Sequence, residues 1–180
     1  MKLIGITGSM GSGKTSLAEV LEEQGYTRKA FAEPLYWIAK RYMFWDGVKD
    51  DKGRKLLQTL GTECGRTYNP NVWVKHMEIY IESRLKMEQV AKYKDPVNIV
   101  IDDVRFENEA NLIRELGGKV IHLQGKGYDM GELNNHASEQ GVKVDTEKDI
   151  VLSYPRFNSK DLFKEAVTED LVRLGFINAN

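Results

Sequence analysis

Gly8-Ser9-Met10-Gly11-Ser12-Gly13-Lys14-Thr15 follows the apolar run Leu3-Ile4-Gly5-Ile6-Thr7 and precedes a helical pattern. The octet satisfies G-x-x-x-x-G-K-[ST] in the strand-then-helix setting that gives the pattern its physical meaning. Glycines let the backbone fold into a nest whose N–H groups converge on one phosphate, and the dipole of the following helix adds partial positive charge there. Lys14 places an ammonium on the β- and γ-phosphates, and the Thr15 hydroxyl is a magnesium ligand. The alternative is a plain glycine turn, but at an average glycine usage of roughly 7% the pattern arises by chance in well under ~1% of chains this long. Gly11, Ser12, Gly13, Lys14, Thr15 and Ser16 are the expected cradle of a nucleoside triphosphate with its magnesium ion, Lys14 being the catalytic cation.

Outward from the loop, Leu17, Ala18 and Leu21 share one face of a helix that Gly25 stops. Pro34 suits the first turn of a second helix with Leu35, Ile38, Ala39 and Tyr42 as its stripe. A third helix is expected over about 52–67, using Leu56, Leu57, Leu60 and Cys64. Asn69-Pro70 reads as an N-cap and first-turn pair opening a long helix through Trp73, Val74, Met77, Ile81 and Leu85. Strand and helix then alternate: a strand at 98–102, a helix at 106–116, strands at 119–123 and 149–152, and a last helix capped by Ser159 that carries Leu162, Phe163, Ala166, Val167, Leu171 and Leu174. Strands separated by helices imply an α/β fold, a parallel sheet covered on both faces. The expectation is one domain over residues 1–180, with a helical insertion at about 33–94 beside the sheet's carboxyl edge.

Composition narrows the function. The 180 residues hold 26 Lys and Arg against 27 Asp and Glu, a formal net charge of −1. Nothing here would coat nucleic acid electrostatically, so cations for an anionic ligand must be concentrated locally. One cysteine, Cys64, excludes a disulfide framework and a cysteine-based zinc site. No apolar run reaches the ~18 residues of a membrane span, and the N-terminal apolar run is too short for a secretory signal. These readings lead to the expectation of a soluble cytoplasmic protein without membrane partners. No internal repeat or low-complexity tract breaks the chain.

Asn98-Ile99-Val100-Ile101-Asp102-Asp103 is an apolar strand ending in acids, as a Walker-B strand should be. A carboxylate at that point can hold magnesium or its bound water opposite the phosphate loop. Successive strand residues face opposite ways, so the pattern leaves open whether Asp102 or Asp103 serves the metal; Asp102 with Thr15 is the working assignment. Arg105 follows, either paired with the acids or clamping a phosphate. Guanine-reading and switch motifs of the Asn-Lys-x-Asp and Asp-x-x-Gly type do not occur after this strand, which disfavours a regulatory GTPase. Motor and remodelling ATPases normally need a longer chain. A small kinase with an inserted acceptor-binding region fits best, its protein supplying mostly positioning and charge neutralisation. The rivals are a kinase of another small metabolite, such as dephospho-coenzyme A, and an ATP-binding sensor without transfer.

The sequence resembles the deoxynucleoside monophosphate kinases encoded by bacteriophages. Five segments carry the likeness: the loop Gly8 to Thr15, Phe31-Ala32-Glu33-Pro34-Leu35, Leu57-Gln58-Thr59-Leu60-Gly61-Thr62-Glu63 with Arg66 and Trp73, Ile101-Asp102-Asp103-Val104-Arg105-Phe106-Glu107-Asn108-Glu109, and His136-Ala137-Ser138-Glu139. The long Asp-Asp-Val-Arg-Phe-Glu-Asn-Glu string is the most discriminating. The resemblance implies the P-loop nucleoside-monophosphate-kinase-like fold with a small lid at about 124–146. It also implies transfer of the γ-phosphate of ATP to a deoxynucleoside monophosphate for DNA precursor synthesis, and a homodimer as an option.

A nucleotide acceptor needs cations for its phosphate, an aromatic plane for its base and polar groups for base edge and sugar. Arg54 and Lys55 are candidate phosphate clamps or a solvated basic pair. Gln58 can read a base edge or stand exposed, and Gly61 permits close backbone approach or ends a turn. Arg66 adds a cation, and Trp73 can stack on a base or pack in the core. The resemblance favours the binding role for Arg54, Gly61 and Trp73 most. Asp103, Arg105 and Glu107 form the expected opposite wall, Asp103 and Arg105 with catalytic roles, although Glu107 also suits the first turn of its helix. Glu33 can bind sugar or cap. The family's lid usually carries an arginine, yet residues 119–158 contain only Arg156, and Leu123-Gln124-Gly125-Lys126 occupies the expected place. Lys126 can substitute as a point charge but lacks the guanidinium fork; either Arg66 or Arg105 covers the transferring phosphate, or the lid is unusual. His136 and Glu139 read as structural parts of the lid, with a nucleotide contact as the alternative.

Overall fold

The computed structural model describes residues 1–91, 97–125 and 141–179. Its centre is β1 (Lys2–Gly8), whose five consecutive buried residues leave no solvated face. Such all-apolar strands are stable only where helices cover both sides of a parallel sheet. Among the described residues the strand order is β2 (Thr27–Lys29), β3 (Asn98–Ile101), β1, β4 (Lys119–Gly125), β5 (Ile150–Tyr154), and every pairing is parallel. The register sets Ile4 beside Val100 on one side and Lys119 on the other. The phosphate-loop octet therefore leaves the sheet at its middle, flanked by the carboxyl ends of β3 and β4.

Period-two alternation splits the core between the faces. Ile4, Ile6, Val100, Ile121 and Leu123 pack with Leu17 and Leu21 of α1 (Lys14–Glu23) and with Phe163, Val167 and Leu171 of α6 (Lys160–Arg173). Leu3, Ile99, Ile101 and Val120 pack on the other side with Val74, Met77 and Ile81 of α4 (Val72–Ala91) and Ile113 of α5 (Glu107–Glu115). Ile4, Ile81, Ile113 and Ile121 are fully buried, and each side chain of this kind contributes ~1.5–3 kcal/mol by leaving water. The final helix starts as its sequence foretells: the Ser159 hydroxyl accepts from the Leu162 N–H at 3.2 Å.

The edge strand and the insertion depart from expectation in four places. β2 has no apolar signal, because Thr27-Arg28-Lys29 lies at the sheet edge where only one neighbour pairs with it. The third helix is two pieces, α3 (Asp51–Gln58) and a π-helical segment over Thr59–Arg66. Gly65 explains the wider turn, since a Cβ there would lie 2.6 Å from Cζ2 of Trp73; the indole occupies that space, and Cys64 turns to solvent. α2 (Glu33–Tyr42) begins with Pro34 in its first turn and buries Leu35 and Ala39, while Tyr42 is exposed. The long helix starts at Val72, because the Asn69 side chain accepts the Asn71 N–H at 2.9 Å and spends Pro70 in the preceding turn.

A charged network holds residues 143–149 to the α5 face of the sheet. Asp149, with no side-chain exposure, accepts Arg114 Nε at 3.0 Å and Nη2 at 2.6 Å, lies 2.8 Å from His122 Nε2 and takes the Asp145 N–H at 2.9 Å. Burial works to raise the Asp149 carboxyl, but the Arg114 guanidinium, the Asp145 N–H and His122 outweigh it and bring it down to about 2.

Candidate active site

The octet is shaped for convergent N–H groups. Gly8, Gly11 and Gly13 all have positive φ, open to glycine without strain. Space as well as conformation demands glycine at two of them: a Cβ on Gly8 would lie 2.3 Å from the Leu123 carbonyl oxygen, and one on Gly13 would lie 2.4 Å from the Phe163 ring. Gly13 is the N-cap of α1, so the helix's first N–H groups and dipole open onto the loop. Lys14 crosses the loop, donating to the Gly8 carbonyl at 2.6 Å and the Ser9 carbonyl at 2.7 Å. The Ser12 hydroxyl is buried without a hydrogen-bond partner among the described residues.

At the end of β3 the two acids divide. Asp102 takes a fork from Arg28, Nε at 2.8 Å and Nη2, both on Oδ2. Asp103 accepts the Phe31 N–H at 2.7 Å and the Ala32 N–H at 3.0 Å, one on each oxygen. It thereby fixes the turn between β2 and α2, whose N-cap, Ala32, has no capping side chain. Burial, with the Glu109 carboxylate nearby, pushes the Asp103 carboxyl up to about 7 despite those two N–H groups.

Two clefts open at this edge. One of about 300 Å³ is lined by Gly11, Ser12, Gly13 and Ser16 of the loop region and by Tyr154, Arg156, Phe157 and Asn158 of the segment after β5. The other, of about 260 Å³, lies between the turn after β2, α2 and α4; Phe31, Glu33, Trp37, Trp73, His76 and Tyr80 are among its walls. Trp73 is 5% exposed and donates its indole N–H to the Gly61 carbonyl at 3.0 Å, so it combines the core and cleft readings. Glu33 lines the cleft without capping the helix it opens: it accepts the Ala30 N–H at 3.1 Å and the Lys29 ammonium at 3.0 Å.

The remaining sequence candidates fall elsewhere. Arg54, Lys55 and Gln58 stand exposed on α3 and line neither cleft; Arg54 Nε donates to the Lys49 carbonyl at 3.0 Å. Gly61 sits buried against Leu35. Arg66 is drawn to Glu109, with Nη2 2.5 Å from Oε1. Glu107 accepts Arg114 Nη1 at 2.6 Å and the Lys143 N–H at 3.0 Å. The Arg105 side chain is exposed while its N–H is bound by Glu109. Lys126, His136, Ser138, Glu139 and most of the expected lid lie outside the described residues.

Sequence reasoning missed Trp37, His76 and Tyr80, although Trp73, His76, Met77 and Tyr80 repeat at i, i+3, i+4 and i+7. That spacing is equally the signature of a core stripe. It also missed a place for Arg156 beside the loop.

The profile of a family described as deoxynucleotide monophosphate kinase matches residues 48–156. A protein of Acanthamoeba polyphaga mimivirus with a provisional deoxynucleotide monophosphate kinase name is 34% identical over 171 residues, 84% of this chain and 88% of that one. The deoxynucleoside-5′-monophosphate kinase of Escherichia phage T5 is 32% identical over 94 residues, 49% of this chain but 34% of the phage protein. Among solved structures, a sugar kinase from Janibacter sp. HTCC2649 superposes with a TM-score of 0.53 at 18% identity, covering 99% of this chain and 96% of that one. A dephospho-CoA kinase from Campylobacter jejuni gives 0.50 at 16%, covering 97% and 98%. At those identities the structures speak for the P-loop kinase fold alone.

Proposed function

Because the chain belongs to the deoxynucleotide monophosphate kinase family, we propose that it transfers the γ-phosphate of ATP to a deoxynucleoside 5′-monophosphate. The products are the deoxynucleoside diphosphate and ADP. The observation that carries this reading is the pair of clefts at one sheet edge, one built on the phosphate loop and the other beside the turn that Asp103 fixes.

The donor's phosphates lie on the loop amides and Lys14, and its base enters the cleft lined by Tyr154, Arg156 and Phe157. The acceptor's base enters the aromatic cleft against Trp73 and Trp37. Its phosphate turns toward Arg105, with Asp103 holding the wall between them.

A phosphate oxygen of the acceptor attacks the γ-phosphorus, the bond from that phosphorus to the β,γ-bridging oxygen breaks, and the electron pair leaves with ADP. The attacking oxygen is already anionic, so no side chain need remove a proton. What the reaction demands is alignment and cancellation of charge between two polyanions.

Thr15 and Asp102 are the oxygen donors that would hold magnesium, Asp102 through Oδ1, since Arg28 takes Oδ2. One hydroxyl and one carboxylate suit an ion that takes most of its ligands from water and phosphate. Magnesium there would supply charge neutralisation of the transferring group.

The test is ADP release from ATP with each deoxy- and ribonucleoside monophosphate as acceptor. The reading expects release that depends on a deoxynucleoside monophosphate; release with none of them overturns it.

A further inference from the structure

Glu109 plays no part in the reaction just described, yet its surroundings are unusually demanding. It is 2% exposed, and a carboxylate so placed persists only when its oxygens are fully bonded. Oε1 pairs with Arg66 Nη2 at 2.5 Å, and Oε2 accepts the Arg105 N–H at 2.8 Å and the Phe106 N–H at 3.1 Å. The Arg66 guanidinium also lies 3.7 Å over the Phe106 ring, and its Nη1 donates to the Pro70 carbonyl at 3.4 Å. The neighbouring Asn108 holds the same junction, donating to the Pro70 carbonyl at 2.9 Å and to Asn71 Oδ1 at 2.8 Å.

A glutamate at the third position of a helix often reaches back to the N-cap N–H, which accounts for the bond to Phe106. It does not account for the bond to the Arg105 N–H or for the ion pair with the last residue of the π-helical segment. Those two contacts fix the main chain from which the exposed Arg105 side chain departs, and tie that point to the insertion forming the aromatic cleft.

We infer that Glu109 is a positioning residue for phosphoryl transfer, setting Arg105 through its main chain and through Arg66. The inference rests on the reading that Arg105 meets a phosphate during turnover.

The experiment compares Glu109→Gln in the wild-type chain and in an Arg105→Ala chain, with kcat and KM measured for ATP and for a deoxynucleoside monophosphate. In the wild-type chain the substitution lowers acceptor kcat/KM by roughly 10- to 100-fold while KM for ATP moves less than about twofold. In the Arg105→Ala chain the same substitution changes kcat/KM by less than about twofold, because the group it positions is gone. Equal losses in both chains overturn the positioning role and leave Glu109 as structural. Full activity in Arg105→Ala itself overturns the reading of Arg105, and the inference with it. Arg66→Lys, which keeps a cation beside Oε1, is measured in the same two chains with circular dichroism as the check on folding. It follows the same pattern with a smaller loss, and stands in if Glu109→Gln does not fold.

Discussion

Lys14 and Trp37 divide the residue-scale predictions between the two clefts. Lys14→Ala removes the ammonium that neutralises the donor's phosphates, so turnover falls by roughly 100-fold or more, with an unchanged circular dichroism spectrum. Retained turnover would contradict the donor assignment. Trp37 is 60% exposed, so Trp37→Ala leaves stability within about 0.5 kcal/mol. As a stacking plane worth about 1–3 kcal/mol on a nucleobase, it raises KM for the acceptor and spares KM for ATP. An equal rise for both nucleotides would move the acceptor base out of this cleft. Lys14 was legible because its motif is contiguous. Trp37 was not, because an exposed tryptophan on a helix announces nothing until a cleft forms beside it. Arg66 was legible as a cation but not as the partner of Glu109, 43 positions away, since pairing across elements is a property of the fold.

The elements that pattern reading recovered are those whose signal is local and repeated. β1 and β3 are continuous apolar runs, and β4 is one broken by the buried His122. α1 carries a clear stripe and a glycine stop, and α6 carries a cap and a stripe of which Leu162 and Leu174 turn to solvent. β2 escaped because an edge strand of three polar residues has no pattern to see. The π-helical segment escaped because its cause is the indole of Trp73, packed against Gly65 from outside the segment. That cause makes a prediction: Gly65→Ala forces a methyl to within 2.6 Å of the ring, an overpacking that costs about 1–3 kcal/mol and lowers the thermal midpoint. Gly117→Ala is no control, since its φ is positive. An unchanged midpoint for Gly65→Ala would mean the wide turn has another origin.

For the molecule as a whole, a net charge of −1 leaves any cation for an anionic ligand to be placed locally. Cations gather at the loop and at the end of β3, while buried acids stitch the remaining elements together. Asp149 makes this measurable. Its carboxyl is held at about 2 in the fold against about 3.9 in an unfolded chain, so it stabilises the fold by roughly 2 kcal/mol above about pH 4. That contribution is lost as pH falls from about 4 through 2, because the unfolded chain then binds the proton first. Denaturant unfolding measured across that window shows the loss in the wild-type chain, and Asp149→Asn, though less stable at neutral pH, lacks this component of the slope. The same slope in both would assign it to other acids.

Transfer of phosphate between two bound nucleotides is visible in the fate of the γ-phosphate. Incubation with ATP labelled in the γ-phosphate and a deoxynucleoside monophosphate should place the label in the β-position of the deoxynucleoside diphosphate. Label recovered only as inorganic phosphate, whichever acceptor is supplied, would contradict it.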